Sequence, residues 1–176
     1  SLWDVACERQ VEVAGPDAEA LCQYVSARDL RGMKVGRVRY APMCNHDGVL
    51  INDPMALKLA DDRWWLSIAD SDVLLWCQAL AAERSMDCRV FEPDVSPLGV
   101  QGPKADDTMA DLLGEWVRDV PFFAFEEVVH DGIPFVLCRS GWSGQGGYEL
   151  FLQDGSKGVA LWEAVWSAGK KYGIHP

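Results

Sequence analysis

The sequence is short of basic residues and has no long apolar run. Its 176 residues include 16 lysines and arginines against 27 aspartates and glutamates, so the formal net charge is −11 at pH 7. This excess of negative charge disfavours binding to nucleic acid or to an anionic membrane, and it gently favours a cationic small molecule. No stretch approaches the length of a transmembrane helix, and no signal-peptide pattern is present.

Closely spaced cysteine pairs and clustered histidines are also missing. The six cysteines are scattered among apolar residues without a CxxC pair, whereas zinc sites use close pairs and disulfide scaffolds are smaller secreted chains. Buried free thiols in a reducing cytoplasm are therefore expected. The three histidines lie far apart, each near glycine or proline, which favours loop positions. The sequence predicts no metal site.

The chain has no initiator methionine and stops at Pro176 directly after a helical pattern. We therefore expect a fragment of a larger protein, with part of the functional site elsewhere. Its length still allows a sizeable core in one large domain or two small ones.

An internal repeat organises the chain. Three landmarks recur in the same order 84 to 87 residues later: Gly15-Pro16 as Gly102-Pro103, His46-Asp47-Gly48 as His130-Asp131-Gly132, and Leu75-Trp76 as Leu161-Trp162. Each Gly-Pro follows a strand pattern and begins a helix pattern, while each His-Asp-Gly is typical of a hairpin turn. The repeat predicts an α+β fold of duplicated β-α-β-β-α-type units with mostly antiparallel sheets. The halves are predicted to be residues 1–94 and 95–176.

A glycine-rich stretch, GWSGQGGYEL at residues 141–150, is the first candidate site. A phosphate-binding P-loop and a dinucleotide-binding loop both require a helix after the glycines, but here a strand pattern follows. A G-x-S-x-G nucleophile elbow fails because Gln145 replaces the last glycine. What remains is a turn that delivers Tyr148 and Glu149 onto a strand, where alternation sends their side chains to opposite faces. A wide hairpin loop with a solvated glutamate stays open as the alternative.

The second candidate is Asn52-Asp53-Pro54, inside a predicted strand over residues 49–59 that is predicted to occupy the equivalent place in the first half. Proline removes a ladder hydrogen bond, and a buried carboxylate must find partners. Asp53 could therefore accept hydrogen bonds from a ligand, and a β-bulge at a sheet edge is the alternative. Trp64, Trp65 and Trp142 could line a slot for a flat ligand or hold a cation, or could simply pack in the core.

Together these motifs resemble the tetrahydrofolate-dependent T-protein (aminomethyltransferase) family. The resemblance rests on Asn52-Asp53-Pro54, on SPLGVQGP at residues 96–103 and on RSGWSGQGGYE at residues 139–149, and it runs over nearly the whole chain. The motifs LWDV at residues 2–5 and WLSIADSD at residues 65–72 are similar to the branch that demethylates dimethylsulfoniopropionate.

The resemblance implies a fold, a cofactor and a set of roles. Tetrahydrofolate is the implied cofactor, and a C-terminal barrel domain of the family would lie beyond this chain. Asp53 is the implied folate-facing and catalytic aspartate and Glu149 the pterin-binding glutamate. The remaining implied contacts are Tyr40, Asn52, Trp65 and Tyr148 for the cofactor and Trp142 for the substrate.

Two departures from the family's pattern select a reaction. Glycine-cleavage relatives usually carry two acidic residues where this chain has Asn52-Asp53, and an acidic residue at Gln145. The resemblance therefore implies methyl transfer from a sulfonium substrate to folate, and it leaves aminomethyl transfer or a dimethylglycine or sarcosine dehydrogenase folate domain as alternatives. No nucleic-acid or membrane partner is expected, and a homodimer is left open.

Overall fold

A computed structural model describes residues 1–69 and 72–176 of the chain. Asp70 and Ser71, near the end of the WLSIADSD motif, lie outside the described residues. The strands are β1 (Leu2–Asp4), β2 (Arg9–Ala14), β3 (Arg37–Tyr40), β4 (Met43–Cys44), β5 (Leu50–Asn52), β6 (Met55–Ala60), β7 (Arg63–Ile68), β8 (Arg89–Phe91), β9 (Ser96–Gln101), β10 (Phe125–His130), β11 (Ile133–Cys138) and β12 (Gly147–Leu152). The α-helices are α1 (Ala18–Val25), α2 (Val73–Glu83), α3 (Ala105–Leu113) and α4 (Gly158–Gly169). Three short 3₁₀ segments complete the secondary structure: Glu115–Asp119, Gly155–Lys157 and Lys170–Tyr172.

The chain divides into two compact units, an N-terminal unit of Cys7–Pro93 and a C-terminal unit of Ser1–Ala6 with Asp94–Pro176. The seam lies close to the predicted one, but the first six residues belong to the other unit. They do so because β1 pairs with β9 in antiparallel register, Trp3 opposite Gly99. The prediction that residues 1–94 form one half is therefore wrong at the N-terminus. A three-residue strand has too little periodicity to reveal its partner.

The N-terminal unit contains a five-stranded sheet with the order β3-β6-β7-β2-β8, and every neighbouring pair is antiparallel. Apolar side chains alternate along the central strands, so Val11, Val13, Trp64 and Leu66 pack against α1 and α2 in one core. The connection from β3 to β6 holds the small β4–β5 hairpin, in whose turn Gly48 N–H donates to Asn45 O at 3.0 Å. The His46-Asp47-Gly48 stretch is the predicted turn.

The C-terminal unit repeats this arrangement with the order β10-β11-β12-β9-β1, again antiparallel throughout. Its helices α3 and α4 pack on one face of the sheet in a second core. The hairpin between β10 and β11 turns at Asp131 and Gly132, which both have positive φ angles of 49° and 75°, as a type I′ turn requires. In the C-terminal sheet the edge strand next to β9 is β1, whereas in the N-terminal sheet the edge strand next to β2 is β8. The predicted α+β fold with antiparallel sheets is confirmed.

None of the helices in the described part of the chain has both the length and the apolar character that a membrane crossing requires.

Candidate functional site

Alternation along β12 separates the two residues that the glycine-rich stretch delivers. Tyr148 is fully buried in the helix-facing core of the C-terminal unit, where its hydroxyl donates to Val117 O at 3.1 Å and accepts from Arg139 Nη1 at 2.7 Å. Glu149 points to the opposite face. Both hydrogen-bonding edges of the Tyr148 hydroxyl are used inside the core, so the implied cofactor contact of Tyr148 is not supported. Tyr148 is a core residue.

Glu149 is a buried carboxyl, with only 4% of the residue exposed. It lies opposite Gly99 on β9 and Cys138 on β11, and the Ser140 hydroxyl donates to its Oε2. Burial raises the pKa of Glu149, and the hydrogen bond from Ser140 opposes that rise. Burial likewise raises the pKa of the Cys138 thiol to about 12, so this neighbour stays uncharged. The solvated glutamate of the alternative interpretation is thereby excluded.

The glycine-rich loop between β11 and β12 is shaped by backbone that only glycine adopts easily. Gly141 and Gly147 have φ angles of 135° and 145°. A Cβ at Gly141 would lie 2.2 Å from Gln101 Nε2, and one at Gly147 would lie 2.2 Å from Val100 O. Beside this loop is a cavity of about 320 Å³, bordered by its glycines together with Gln101, Arg139 and Ser140. The loop backbone can therefore lie close to a neighbouring group, and the cavity lies next to Ser140, whose hydroxyl binds Glu149.

The second candidate, Asp53, lies in the N-terminal unit where the predicted continuous strand over residues 49–59 is broken. The strand is split into β5 and β6, and Pro54 occupies the gap, since it has no N–H to add to a ladder. Asn52 is buried and Asp53 is half-buried. The Tyr40 hydroxyl donates to Asp53 Oδ2 at 2.7 Å, and this hydrogen bond is the main reason that the pKa of Tyr40 is raised. The structure thus brings together Tyr40, Asn52 and Asp53, three of the predicted site residues.

Trp65 has no exposed surface. Its Nε1–H donates to Glu12 Oε2 at 2.7 Å, and the Arg63 guanidinium lies 5.5 Å from the ring centroid. A ring enclosed in this way offers no surface to a ligand, so the implied ring-flanking role is not supported. Trp64 is equally buried, in the helix-facing core. Trp142, in contrast, is 67% exposed on the glycine-rich loop, and its predicted contact with a substrate stays a prediction.

The two candidate stretches do not occupy equivalent places in the duplicated units. Asn52-Asp53-Pro54 lies between β3 and β6, whereas the glycine-rich loop joins β11 to β12. By strand order and register, the counterpart of Glu149 on β12 is Trp65 on β7, 84 residues earlier. The predicted equivalence is therefore wrong, because one connection was expanded by the β4–β5 hairpin.

Three buried or half-buried polar residues escaped the sequence-based prediction: Glu12 in the N-terminal unit, and Ser140 and Gln101 in the C-terminal unit. Glu12 is 5% exposed and accepts from Arg63 Nε and Nη2 at 2.9 and 3.1 Å as well as from Trp65. The sequence could have indicated Glu12, because this carboxyl stands between Val11 and Val13 in a strand with an alternating pattern. Ser140 and Gln101 gave no signal, because their roles depend on hydrogen bonds between distant strands.

Within residues 1–69 and 72–176, no group of three or more His, Cys, Asp or Glu side chains has an arrangement that could hold a metal ion.

Two α+β units, each an antiparallel five-stranded sheet with helices on one face, define a T-protein-like fold. The glycine cleavage system aminomethyltransferase T from Bartonella henselae superimposes with a TM-score of 0.81 at 26% identity, over 93% of this chain and 44% of that one. The heterotetrameric sarcosine oxidase from Corynebacterium sp. U-96 shares the fold, with a TM-score of 0.69 at 18% identity over 100% of this chain and 86% of that one.

The sequence places the protein within this class. The chain belongs to the GCVT N-terminal domain family, which matches residues 1–176. It is 48% identical to the dimethylsulfoniopropionate demethylase DmdA of Ruegeria pomeroyi over 168 residues, 96% of this chain and 46% of that protein. It is 29% identical to an aminomethyltransferase of Alkaliphilus oremlandii, over 99% of this chain and 48% of that protein. The chain spans about half the length of these curated relatives.

Proposed function

We propose that this chain forms the folate-binding part of a tetrahydrofolate-dependent methyltransferase that demethylates dimethylsulfoniopropionate. The observation that carries the proposal is the Asn52-Asp53 pair, in which Tyr40 donates to one carboxylate and a neutral amide stands beside it. Relatives that perform aminomethyl transfer usually carry a second acid there. The 48% identity to a dimethylsulfoniopropionate demethylase supports the same choice, against 29–31% for the aminomethyltransferases.

The residues fit tetrahydrofolate by the chemistry of their acceptors. A pterin edge presents N–H donors, and Glu149 and Asp53 are carboxyl acceptors of which the first is almost completely desolvated. Hydrogen bonds to a charged acceptor in such an environment are about twice as strong as neutral ones. The glycines at 141, 144, 146 and 147 border a cavity beside Ser140, which Gln101, Phe122 and Arg139 also line. Glu149 would hold pterin N–H groups, and Asp53 is the proposed catalytic carboxylate.

When bound, tetrahydrofolate supplies a secondary amine nitrogen that can accept a methyl group. In a sulfonium the S–CH₃ bond would break with its electron pair left on sulfur, giving 3-methylthiopropanoate. The methyl group would form a bond to that nitrogen, whose N–H proton would be released, and the second product would be 5-methyltetrahydrofolate. Because the thioether is a good neutral leaving group, the protein needs positioning more than a strong base. Asp53, held by Tyr40, would stabilise the positive charge that accompanies alkylation of the amine.

Aminomethyl transfer is the second candidate function. Aminomethyltransferases match 98–99% of the chain at 29–31% identity, and the T-protein of Bartonella henselae has the same fold. A folate-binding paralogue without catalytic activity is the third. We further propose that the protein is cytoplasmic, since all six cysteines are free thiols. A homodimer stays a prediction.

To test this proposal, the full-length gene product is incubated with tetrahydrofolate and dimethylsulfoniopropionate, and the 5-methyltetrahydrofolate formed is measured. The expected result is methylfolate in a one-to-one ratio with 3-methylthiopropanoate. Turnover only with an aminomethylated lipoyl carrier protein would replace this proposal by the second candidate, and folate binding without turnover would favour the third. Asp53→Asn should lower turnover at least tenfold, whereas Asp47→Asn, the same change in an exposed turn, should leave it unchanged.

A further inference from the structure

Gln101, the last residue of β9, has a side chain that contacts both ends of the glycine-rich loop. Its Nε2 donates to the carbonyl of Ser140 at 3.0 Å, before the loop, and to the carbonyl of Tyr148 at 3.2 Å, after it. Its Oε1 accepts from the Ser143 hydroxyl at 2.8 Å. A single amide therefore ties the entry, the middle and the exit of the loop together.

The two carbonyls belong to residues that fix Glu149. Ser140 is itself the donor to Glu149 Oε2, and Tyr148 is the residue directly before Glu149 on β12. Ser140 and Glu149 are both buried, so their relative placement depends on the backbone of the loop ends. Only a side chain of this length with two N–H donors and one acceptor can make all three contacts, which makes glutamine the matching residue type.

The loop sequence is adapted to this amide. A Cβ at Gly141 would lie 2.2 to 2.4 Å from Nε2, Oε1 and Cδ of Gln101, and one at Gly147 would lie 2.8 Å from Nε2. Glycine at these two positions thus leaves the space that the Gln101 side chain fills. The main chain of the same region is paired as well, since Gly102 N–H donates to Gly146 O at 3.0 Å.

We propose that Gln101 is a positioning residue that holds the glycine-rich loop in one conformation and thereby presents the Glu149 carboxyl, through Ser140, to the ligand. The identity of that ligand as tetrahydrofolate rests on the function proposed above. The geometric part, from Gln101 to the loop and Ser140 to Glu149, lies entirely within the C-terminal unit and is testable without any ligand.

The experiment compares Gln101→Met, which keeps side-chain length but removes the amide, with the parent protein. Gln78→Met is the matched control, because Gln78 Nε2 donates to Val90 O at 2.9 Å on the N-terminal unit. Amide hydrogen exchange is measured at Gln145 and Gly102, and the Glu149 carboxyl is titrated by ¹³C chemical shift. Ser143→Ala, at an exposed position, removes the contact to Gln101 Oε1 and also the hydrogen bond that Gln145 N–H donates to Ser143 Oγ at 3.1 Å, and it leaves both carbonyl contacts of Gln101 in place.

Gln101→Met should speed exchange at both amides at least roughly tenfold, as loss of more than one hydrogen bond predicts. It should also move the Glu149 midpoint to higher pH, because the Ser140 hydrogen bond that lowers the pKa of Glu149 is weakened. Ser143→Ala should speed exchange at Gln145, whose N–H loses its own acceptor, and should leave Gly102 and the Glu149 midpoint unchanged, because the carbonyl contacts of Gln101 remain. Gln78→Met should change neither readout. Tetrahydrofolate should bind Gln101→Met about tenfold more weakly.

Unchanged exchange and an unchanged Glu149 midpoint in Gln101→Met would overturn the positioning role, even if the parent binds folate. The same is true if Gln78→Met shifts both readouts as much. If the parent does not bind tetrahydrofolate, the proposed function fails, while shifts in exchange and titration still uphold the positioning role.

Discussion

Removing the hydroxyl of Tyr148 tests whether this residue belongs to the core or to the ligand site. In Tyr148→Phe the ring stays in place, but the carbonyl of Val117 loses the Tyr148 hydroxyl and keeps the N–H of Val120 at 3.3 Å, and Arg139 Nη1 loses an acceptor. Arg139 still has the carboxylate of Asp106, whose Oδ1 and Oδ2 accept from Nη2 at 3.1 and 2.9 Å. The perturbation therefore removes the hydrogen bonds of a single hydroxyl group in the C-terminal unit.

The magnitude follows from the two lost bonds. A neutral hydrogen bond contributes about 1 kcal/mol to the free energy of unfolding, and a bond to a charged group about 1.5–3 kcal/mol. Because Arg139 keeps Asp106, the second loss should lie near the lower end of its range. We expect Tyr148→Phe to lose about 2 kcal/mol, which corresponds to a fall in Tm of about 4–8 °C for a chain of this size.

The assay is urea unfolding, run beside tetrahydrofolate binding. Tyr24→Phe is the control, because Tyr24 is 45% exposed and keeps its ring contact with Arg84 after the change. Its stability should stay within about 0.5 kcal/mol of the parent. Tyr148→Phe should bind folate as the parent does. Unchanged stability with weaker folate binding would refute the reasoning, since it would place the Tyr148 hydroxyl at the ligand.

Two further predictions concern the carboxyl groups. Burial raises the pKa of Glu149 in the folded state above its unfolded value, so the parent loses stability as the pH rises from the unfolded to the folded pKa. Glu149→Gln has no carboxyl to ionise, so its free energy of unfolding in urea, relative to the parent, should increase with pH over this range. For exposed Glu163→Gln the same difference should not change with pH. Asp53→Asn should lower the pKa of Tyr40 towards its ordinary value, because the hydrogen bond to the carboxylate is the main cause of the rise; ultraviolet titration of the four tyrosines should detect this. An unshifted tyrosine titration, or a shift equal to that of Asp47→Asn, would contradict the Tyr40–Asp53 contact.

Local patterns were enough to predict most of the fold. The alternation of β2 and β12, the Gly-Pro helix starts and the Asp131-Gly132 turn are each determined by neighbouring residues, so the sequence reveals them directly. The strand β1 was missed because its place in the sheet depends on pairing with β9, about a hundred residues away. The hairpin turn at residues 46–48 was predicted, but the split at Pro54 was not, because the apolar pattern over residues 49–59 is typical of one continuous strand.

The candidate residues likewise divide into those that local patterns could predict and those that depend on distant contacts. Asp53 and Glu149 could be singled out because a carboxyl in an apolar strand is unusual, and the alternation of β12 already separated Glu149 from Tyr148. The roles of Ser140 and Gln101 could not be predicted, since a hydroxyl and an amide acquire them only from carbonyls and carboxyls that folding brings near. The burial of Trp65 likewise depends on how the sheet face is covered, which periodicity does not reveal.

The duplicated sheets show how one architecture can hold a buried carboxyl for two purposes. Glu12 on β2 lies opposite Trp65 on β7, and Glu149 on β12 lies opposite Gly99 on β9. These two cross-strand pairs are equivalent in the two units, but the carboxyl is on the first strand of the pair in one unit and on the second strand in the other. Side chains directly opposite in such a pair lie about 5 Å apart, so either strand can place a carboxyl at nearly the same spot. Glu12 is neutralised by a two-bond contact with Arg63 and by the Trp65 indole, which makes it a structural anchor. Glu149 is met by the Ser140 hydroxyl, and burial raises its pKa, so a ligand with N–H donors would stabilise its ionised form. The difference in partners, rather than in position, favours Glu149 over Glu12 for the proposed contact with a pterin.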